Sequence, residues 1–211
     1  MRNVMRRTLL MGCFALVGCS GQQVEPTVTS EGTTNESPQQ EVASEAAPAS
    51  VKVESVEVEV ANWDTIQAWV QQQRGKVVVI DLWSTMCLPC MKEFPKFVAM
   101  SQKYEGQIAC ASVSVDFIGG PDGVSDELVQ RVTEFLVDSQ STMKNFVASD
   151  SDETVLGRVE AVSVPVSLVY DAEGNLHQMF AEGLGSGENG AFNYANDVQP
   201  VVEKLLTAEK E

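Results

Sequence analysis

Positive charge is scarce in this chain: 14 Lys and Arg stand against 30 Asp and Glu, a formal net charge of -16. Polyphosphate backbones are held by basic surface, so the balance excludes nucleic acid as a partner and repels anionic lipid. Histidine occurs once, as His177. Long apolar runs are missing as well. The stretch from Leu9 to Val17 carries no charge, but at ~1.5 Å per helical residue it falls well short of a ~30 Å hydrocarbon core. Aromatic residues are only 7% of the chain, and between Ser20 and Ser50 there are none, nor any Lys or Arg. That stretch of Ser, Thr, Gln, Glu, Ala and Pro has too little apolar surface to offset the entropy of ordering.

What is present at the start is an export pattern. Arg2, Arg6 and Arg7 precede the short apolar run, which reads as a signal peptide and not a span. Leu16-Val17-Gly18-Cys19 resembles the bacterial lipobox, in which the cysteine is acylated and becomes the new N-terminus. The alternative is an ordinary signal peptide with a chance cysteine. Ser20 after Cys19, in place of an acidic residue, is the pattern of outer-membrane sorting in Gram-negative envelopes. The expected layout is a lipoprotein signal peptide over 1–18, a lipidated Cys19 with a disordered tether over 19–50, and one domain over 51–211. As a flexible coil of about 31 residues the tether would reach ~30 Å. Loss of the three signal arginines leaves the exported protein with a net charge of about -19.

Five cysteines sort themselves on that layout. Cys13 leaves with the signal and Cys19 takes the lipid, so Cys87, Cys90 and Cys110 belong to the domain. An odd count in an oxidising compartment leaves one thiol over. Cys110 lies in Ile108-Ala109-Cys110-Ala111-Ser112-Val113, a strand-like run, and is expected to be a small buried core residue.

Periodicity then predicts the elements of the domain. Val51 to Val60 alternates apolar and charged residues, as an edge strand with one wet face does. Asn62 can cap a helix through Gln73, ended by Gly75. Val77-Val78-Val79-Ile80 is a β-branched run suited to a central strand buried on both faces. A helix from near Cys87 to Tyr104 contains Pro95, which should kink or break it. Ile108 to Val115 reads as a second central strand, followed by an amphipathic helix carrying Leu128, Val129, Val132, Phe135 and Leu136. Short elements are expected at Asn145 to Ala148 and Glu153 to Val159. Val164 to Tyr170 and Leu176 to Phe180 form a hairpin whose loop places Gly174 where a positive φ is needed. Gly183 to Asn196 is irregular, and a last helix begins near Asp197 or Pro200. This order indicates an α/β fold with a mixed sheet and helices on both faces.

The chemistry concentrates in Trp83-Ser84-Thr85-Met86-Cys87-Leu88-Pro89-Cys90, where a buried strand runs into a helix. The helix dipole and free N–H groups there favour a thiolate, lowering a cysteine from ~8.5 to roughly 3.5–7.5. A two-residue spacing lets Cys90 resolve a mixed disulfide formed at Cys87. From Val78 to Trp83, through Cys87-Leu88-Pro89-Cys90 and Met91-Lys92-Glu93-Phe94-Pro95, to Val164-Pro165 and Tyr170-Asp171-Ala172-Glu173-Gly174, the chain resembles the thioredoxin superfamily. More narrowly it is similar to the TlpA- and ResA-like extracytoplasmic branch, over about residues 51 to 209. The resemblance implies a thioredoxin-like fold with an inserted helical segment from Phe117 to Gln140, and thiol-disulfide oxidoreductase activity without cofactor or metal. It implies Cys87 as nucleophile, Cys90 as resolving thiol, Pro165 as the cis-proline facing them, and Val164 as a backbone contact for substrate. Asp81 matches the buried acid under the pair, although a strand-end carboxylate bonded to a backbone N–H is the plainer alternative. Glu93 matches a glutamate of the branch, or else serves only as a first-turn acid. Trp83, Leu88 and Pro89 are expected at the substrate surface, with Trp83 shielding the site or else serving as core only. Met86 stands where a second tryptophan is common, and Asp81 where an uncharged residue is frequent.

Exported proteins bearing thiols or disulfides, such as apocytochrome c, are the implied substrates, with a membrane electron donor or acceptor for recycling. The implied place is the extracytoplasmic, periplasm-facing side of the cell envelope, held by the lipid anchor. Two readings compete. One is a copper-delivery lipoprotein using the cysteine pair with His177, the other a redox-inert envelope binding module. A peroxidase is a poorer rival, because its Pro-x-x-x-Thr-x-x-Cys arrangement is missing.

Overall fold

The computed structural model describes residues 55–187 and 190–208. The expected signal peptide, Cys19 and tether lie outside the described residues. Those described build a six-stranded sheet in the order β1-β4-β3-β2-β5-β6. Its strands are β1 (Glu59–Ala61), β2 (Val77–Trp83), β3 (Ile108–Ser114), β4 (Lys144–Ala148), β5 (Val166–Tyr170) and β6 (Leu176–Ala181). β1, β4, β3 and β2 run parallel, whereas β5 is antiparallel to β2 and β6 to β5. Among the described residues five α-helices accompany them: α1 (Trp63–Gln72), α2 (Leu88–Lys103), α3 (Asp126–Asp138), α4 (Asp152–Arg158) and α5 (Gln199–Ala208).

Local signals account for the helix starts. The side chains of Asn62, Ser125 and Ser151 accept from Thr65 N, Leu128 N and Thr154 N, each satisfying an amide that its helix leaves free. All seven residues of β2 are buried, which is why that strand reads as an unbroken apolar run around one acid. Its alternation sends Val77, Val79 and Trp83 to a core shared with α2, α3 and α5. Val78, Ile80 and Leu82 go to the opposite core, closed by α1 and α4. The hairpin loop between β5 and β6 holds Gly174 at φ +81, as its sequence predicts, and a side chain there would also meet Gln71.

Three expectations need correction. The edge strand is confined to Glu59–Ala61, although Val56 and Val58 still pack on the core. Pro95 neither breaks nor ends α2, because Phe94, Phe97 and Val98 hold its flanking turns in the core while Pro95 itself faces solvent. The segment from Phe117 to Gln140 supplies α3 as expected, and the short strand expected at Asn145 to Ala148 is β4, lodged between β1 and β3. Last, the irregular stretch ends in a π-helical turn over Tyr194–Val198 that runs directly into α5.

Candidate active site

The Cys87–Cys90 pair sits where β2 hands over to α2. The two residues are joined as a disulfide with an S–S distance of 2.04 Å. Cys87 is the N-cap of α2, and its Sγ accepts from Cys90 N at 3.2 Å. An acceptor at that position lies on the positive end of the helix dipole, which favours negative charge on sulfur once the pair is reduced. Cys87 is half-buried and Cys90 is 1% exposed, so only the first sulfur meets solvent. Leu88 and Pro89 flank it on the surface.

A turn of Ser84, Thr85 and Met86 joins Trp83 to Cys87, and Asp116, two residues past the end of β3, holds it. Asp116 accepts from Ser84 Oγ and Thr85 N at 3.1 Å, from Thr85 Oγ1 at 2.5 Å and from Ser114 Oγ at 2.6 Å. Arg131 on α3 donates to Thr85 Oγ1 at 3.1 Å. The sequence pattern gave no reason to single out Asp116, because the turn it holds lies about thirty positions away in the chain.

Opposite the pair lies the cis peptide bond between Val164 and Pro165. The Val164 carbonyl oxygen is 3.7 Å from Cys87 Sγ, a contact and not a hydrogen bond while the sulfur is in a disulfide. Beside it an open groove of about 200 Å³ is lined by Pro89, Lys92, Glu93, Pro165, Glu182, Ala191 and Phe192. Met86, Ile118 and Val162 are strongly exposed apolar side chains around a second, wider depression that includes Val164.

Beneath the pair the sheet carries a transverse row of polar residues. Ser167, Asp81, Ser112 and Asn145 are register partners across β5, β2, β3 and β4, all buried on the face that α2 covers. Ser112 Oγ and Ser141 Oγ donate to Asn145 Oδ1 at 2.9 and 2.8 Å. Asp81, 2% exposed, accepts instead from Tyr194 Oη at 2.5 Å. Burial pushes the Asp81 carboxyl up to about 8; the Tyr194 bond pulls the other way, and the nearby Glu93 charge adds to the rise. Glu93 itself accepts from Lys96 Nζ at 2.6 Å, and from Asn193 Nδ2 and Tyr194 N at 3.4 Å.

One expected site residue is elsewhere. Trp83 has no exposed area; its ring packs at 5.0 Å from Phe94 and 4.7 Å from Phe135, so it takes the core role and not a place on the surface. Tyr194 was not foreseen: it lies 113 positions from Asp81 in a stretch without a regular period. Cys110 is free and buried, as its strand context predicts, and desolvation raises its thiol far above the ordinary range. His177 is exposed on β6 next to the residue paired with Tyr170, which in turn pairs with Val78 at the start of β2. That puts it at the end of the sheet away from Cys87, roughly five strand residues or ~17 Å along. Among the described residues no three His, Cys, Asp or Glu side chains gather as a metal-binding set. A copper site made of the pair and His177 is therefore not assembled.

A parallel β2 and β3 beside an antiparallel β5–β6 hairpin, a cysteine pair starting α2, and a cis-proline leading into β5 decide the architecture. The fold is thioredoxin-like. No family model matches the chain, and no curated protein matches it in sequence. Among solved structures it is similar to a thioredoxin-like protein in the oxidised form, at 24% identity and TM-score 0.48 over 63% of this chain and 79% of that one. It is also similar to StoA from Bacillus subtilis, at 17% identity and TM-score 0.42 over 65% and 84%. A third is a thiol:disulfide interchange protein of the thioredoxin family from Chlorobium tepidum, at 18% identity and TM-score 0.46 over 66% and 84%.

Proposed function

We propose that this protein is an extracytoplasmic thiol-disulfide oxidoreductase that reduces disulfides of exported proteins, apocytochrome c among them. The observation that carries the reading is the half-exposed Cys87 sulfur at the N-cap of α2, with Cys90 bonded to it from the protected side. In the reduced protein the Cys87 thiolate attacks a substrate disulfide, forming a Cys87–substrate disulfide and releasing one substrate thiolate. Cys90 then gives up its proton, with the ionised Asp81 carboxylate as acceptor, and attacks Cys87 Sγ. The second substrate thiolate leaves, and the two electrons gained by the substrate have come from the protein's dithiol. Val164 offers its carbonyl to an extended substrate segment, Pro165 walls the disulfide, and Leu88 and Pro89 contact the segment from α2. Glu93 holds the loop that closes the groove.

The protein's place in this reading is the outer face of a membrane, with Cys19 lipidated and residues 19–50 as the tether. A membrane electron donor restores the dithiol. No helix among the described residues is long and apolar enough to cross a bilayer. Cys90→Ser should accumulate a covalent adduct between Cys87 and its substrate, whereas Cys87→Ser should accumulate none. Mass spectrometry of adducts captured in cells names the partner. Adducts formed equally by both variants would end the reading.

A further inference from the structure

Asp81 alternates with Val79 and Trp83 onto the face of β2 whose core also holds Cys90, yet its surroundings oppose its ionisation. Ser112, its neighbour on β3, commits its O–H to Asn145, and Ser167 on β5, buried beside Tyr194, gives the acid no hydrogen bond. Glu93 acts on the acid from α2 as a like charge, and Cys90 and Cys110 belong to the same core as Tyr194, where Cys110 lies close enough to act on the Tyr194 hydroxyl. Among the described residues one side chain donates to the carboxylate, and it is Tyr194, arriving from the opposite end of the chain. Tyr194 is itself fixed from two sides. Its ring stacks on Phe97 of α2 at 4.9 Å, and its backbone N–H donates to Glu93 one turn away.

We infer that Tyr194 is a positioning residue for disulfide exchange, its hydroxyl holding Asp81 oriented and ionisable so that the acid can take the Cys90 proton. This rests on the oxidoreductase reading above. The bond strengthens as Asp81 becomes charged, because an O–H donor to a carboxylate is worth more than one to a neutral acid. Since the π-helical turn that carries Tyr194 is held to α2 through Glu93, the C-terminal segment sets the protonation of a group buried under the N-terminal half of the site.

Tyr194→Phe removes one oxygen and keeps the ring stack, so folding is retained. Losing a bond to a charged group is expected to raise the Asp81 midpoint by about one to two pH units. Two readouts test this. Carboxyl carbon NMR of the oxidised protein follows the Asp81 midpoint directly. Stopped-flow release of a peptide thiol from the preformed Cys87 mixed disulfide follows resolution by Cys90 across pH. The variant should resolve about ten- to a hundredfold more slowly at pH 7, in proportion to the smaller ionised fraction, and recover its rate at higher pH. In an Asp81→Asn background the same substitution should leave the profile unmoved. A Tyr194→Phe protein that exchanges disulfides with wild-type midpoints overturns the assignment alone. A wild-type protein that exchanges none through Cys87 overturns the reading beneath it.

Discussion

Burying one acid in an apolar interior changes how the whole molecule responds to pH. Asp81 titrates near 8 in the fold but near ~3.9 in the unfolded chain, so between those values the folded state binds more protons. Stability from this group is therefore fully present below about pH 4 and declines as pH rises towards 8. Asp81→Asn should match the native protein near pH 4 and exceed it by about 3 kcal/mol at pH 8, the full linkage being softened by water penetration. Urea unfolding of the oxidised proteins at both pH values checks it, and an equal gain at both would contradict the argument. Such a gain in stability with slower resolution would mark Asp81 as a group kept for chemistry at a structural cost. The sequence showed that an acid interrupts a buried strand. It could not show Tyr194, since no local pattern links the two positions.

At the level of elements, the junction between β2 and α2 matters most. Residues 77 to 90 state their own local structure: a β-branched run, then a cysteine that caps a helix with Pro89 in its first turn. The geometry of the intervening turn is imposed from outside, by Asp116 and Arg131. Asp116→Ala should leave the partly buried Ser84, Thr85 and Ser114 groups without their acceptor and cost about 1–3 kcal/mol. It should also blunt the preference of alkylating reagents for Cys87 in the reduced protein, because the sulfur would no longer be held over the helix start. Peptide mapping after brief alkylation measures that preference, and an unchanged ratio would show that α2 alone orients the thiol. Pro95 makes the complementary point. Its missing N–H is a local reason to break a helix, and packing of Phe94 and Phe97 on the sheet outweighs it.

The whole molecule carries a strong negative field, and the groove beside Pro165 has Glu93 and Glu182 in its lining against a single Lys92. Cationic partners should meet it faster than anionic ones. With model peptides of equal redox potential, reduction of a Lys-rich disulfide should exceed that of a Glu-rich one several-fold at low salt. The gap should close as the Debye length falls from ~30 Å at 0.01 M towards ~8 Å at 0.15 M. Rates independent of both charge and salt would show that contact chemistry and not the field selects the partner. Composition and period determined much by themselves: the acidic surface, the order of strands and helices, and the cysteine pair at a helix start, because each is a property of neighbouring residues. Only the tertiary structure decided that Trp83 is core, that His177 stands at the wrong end of the sheet, and that Tyr194 reaches Asp81. Those outcomes depend on which strands pair and which helix covers which face. Such contacts join residues a hundred positions apart, and burial fixes their energies only after the chain has closed around them.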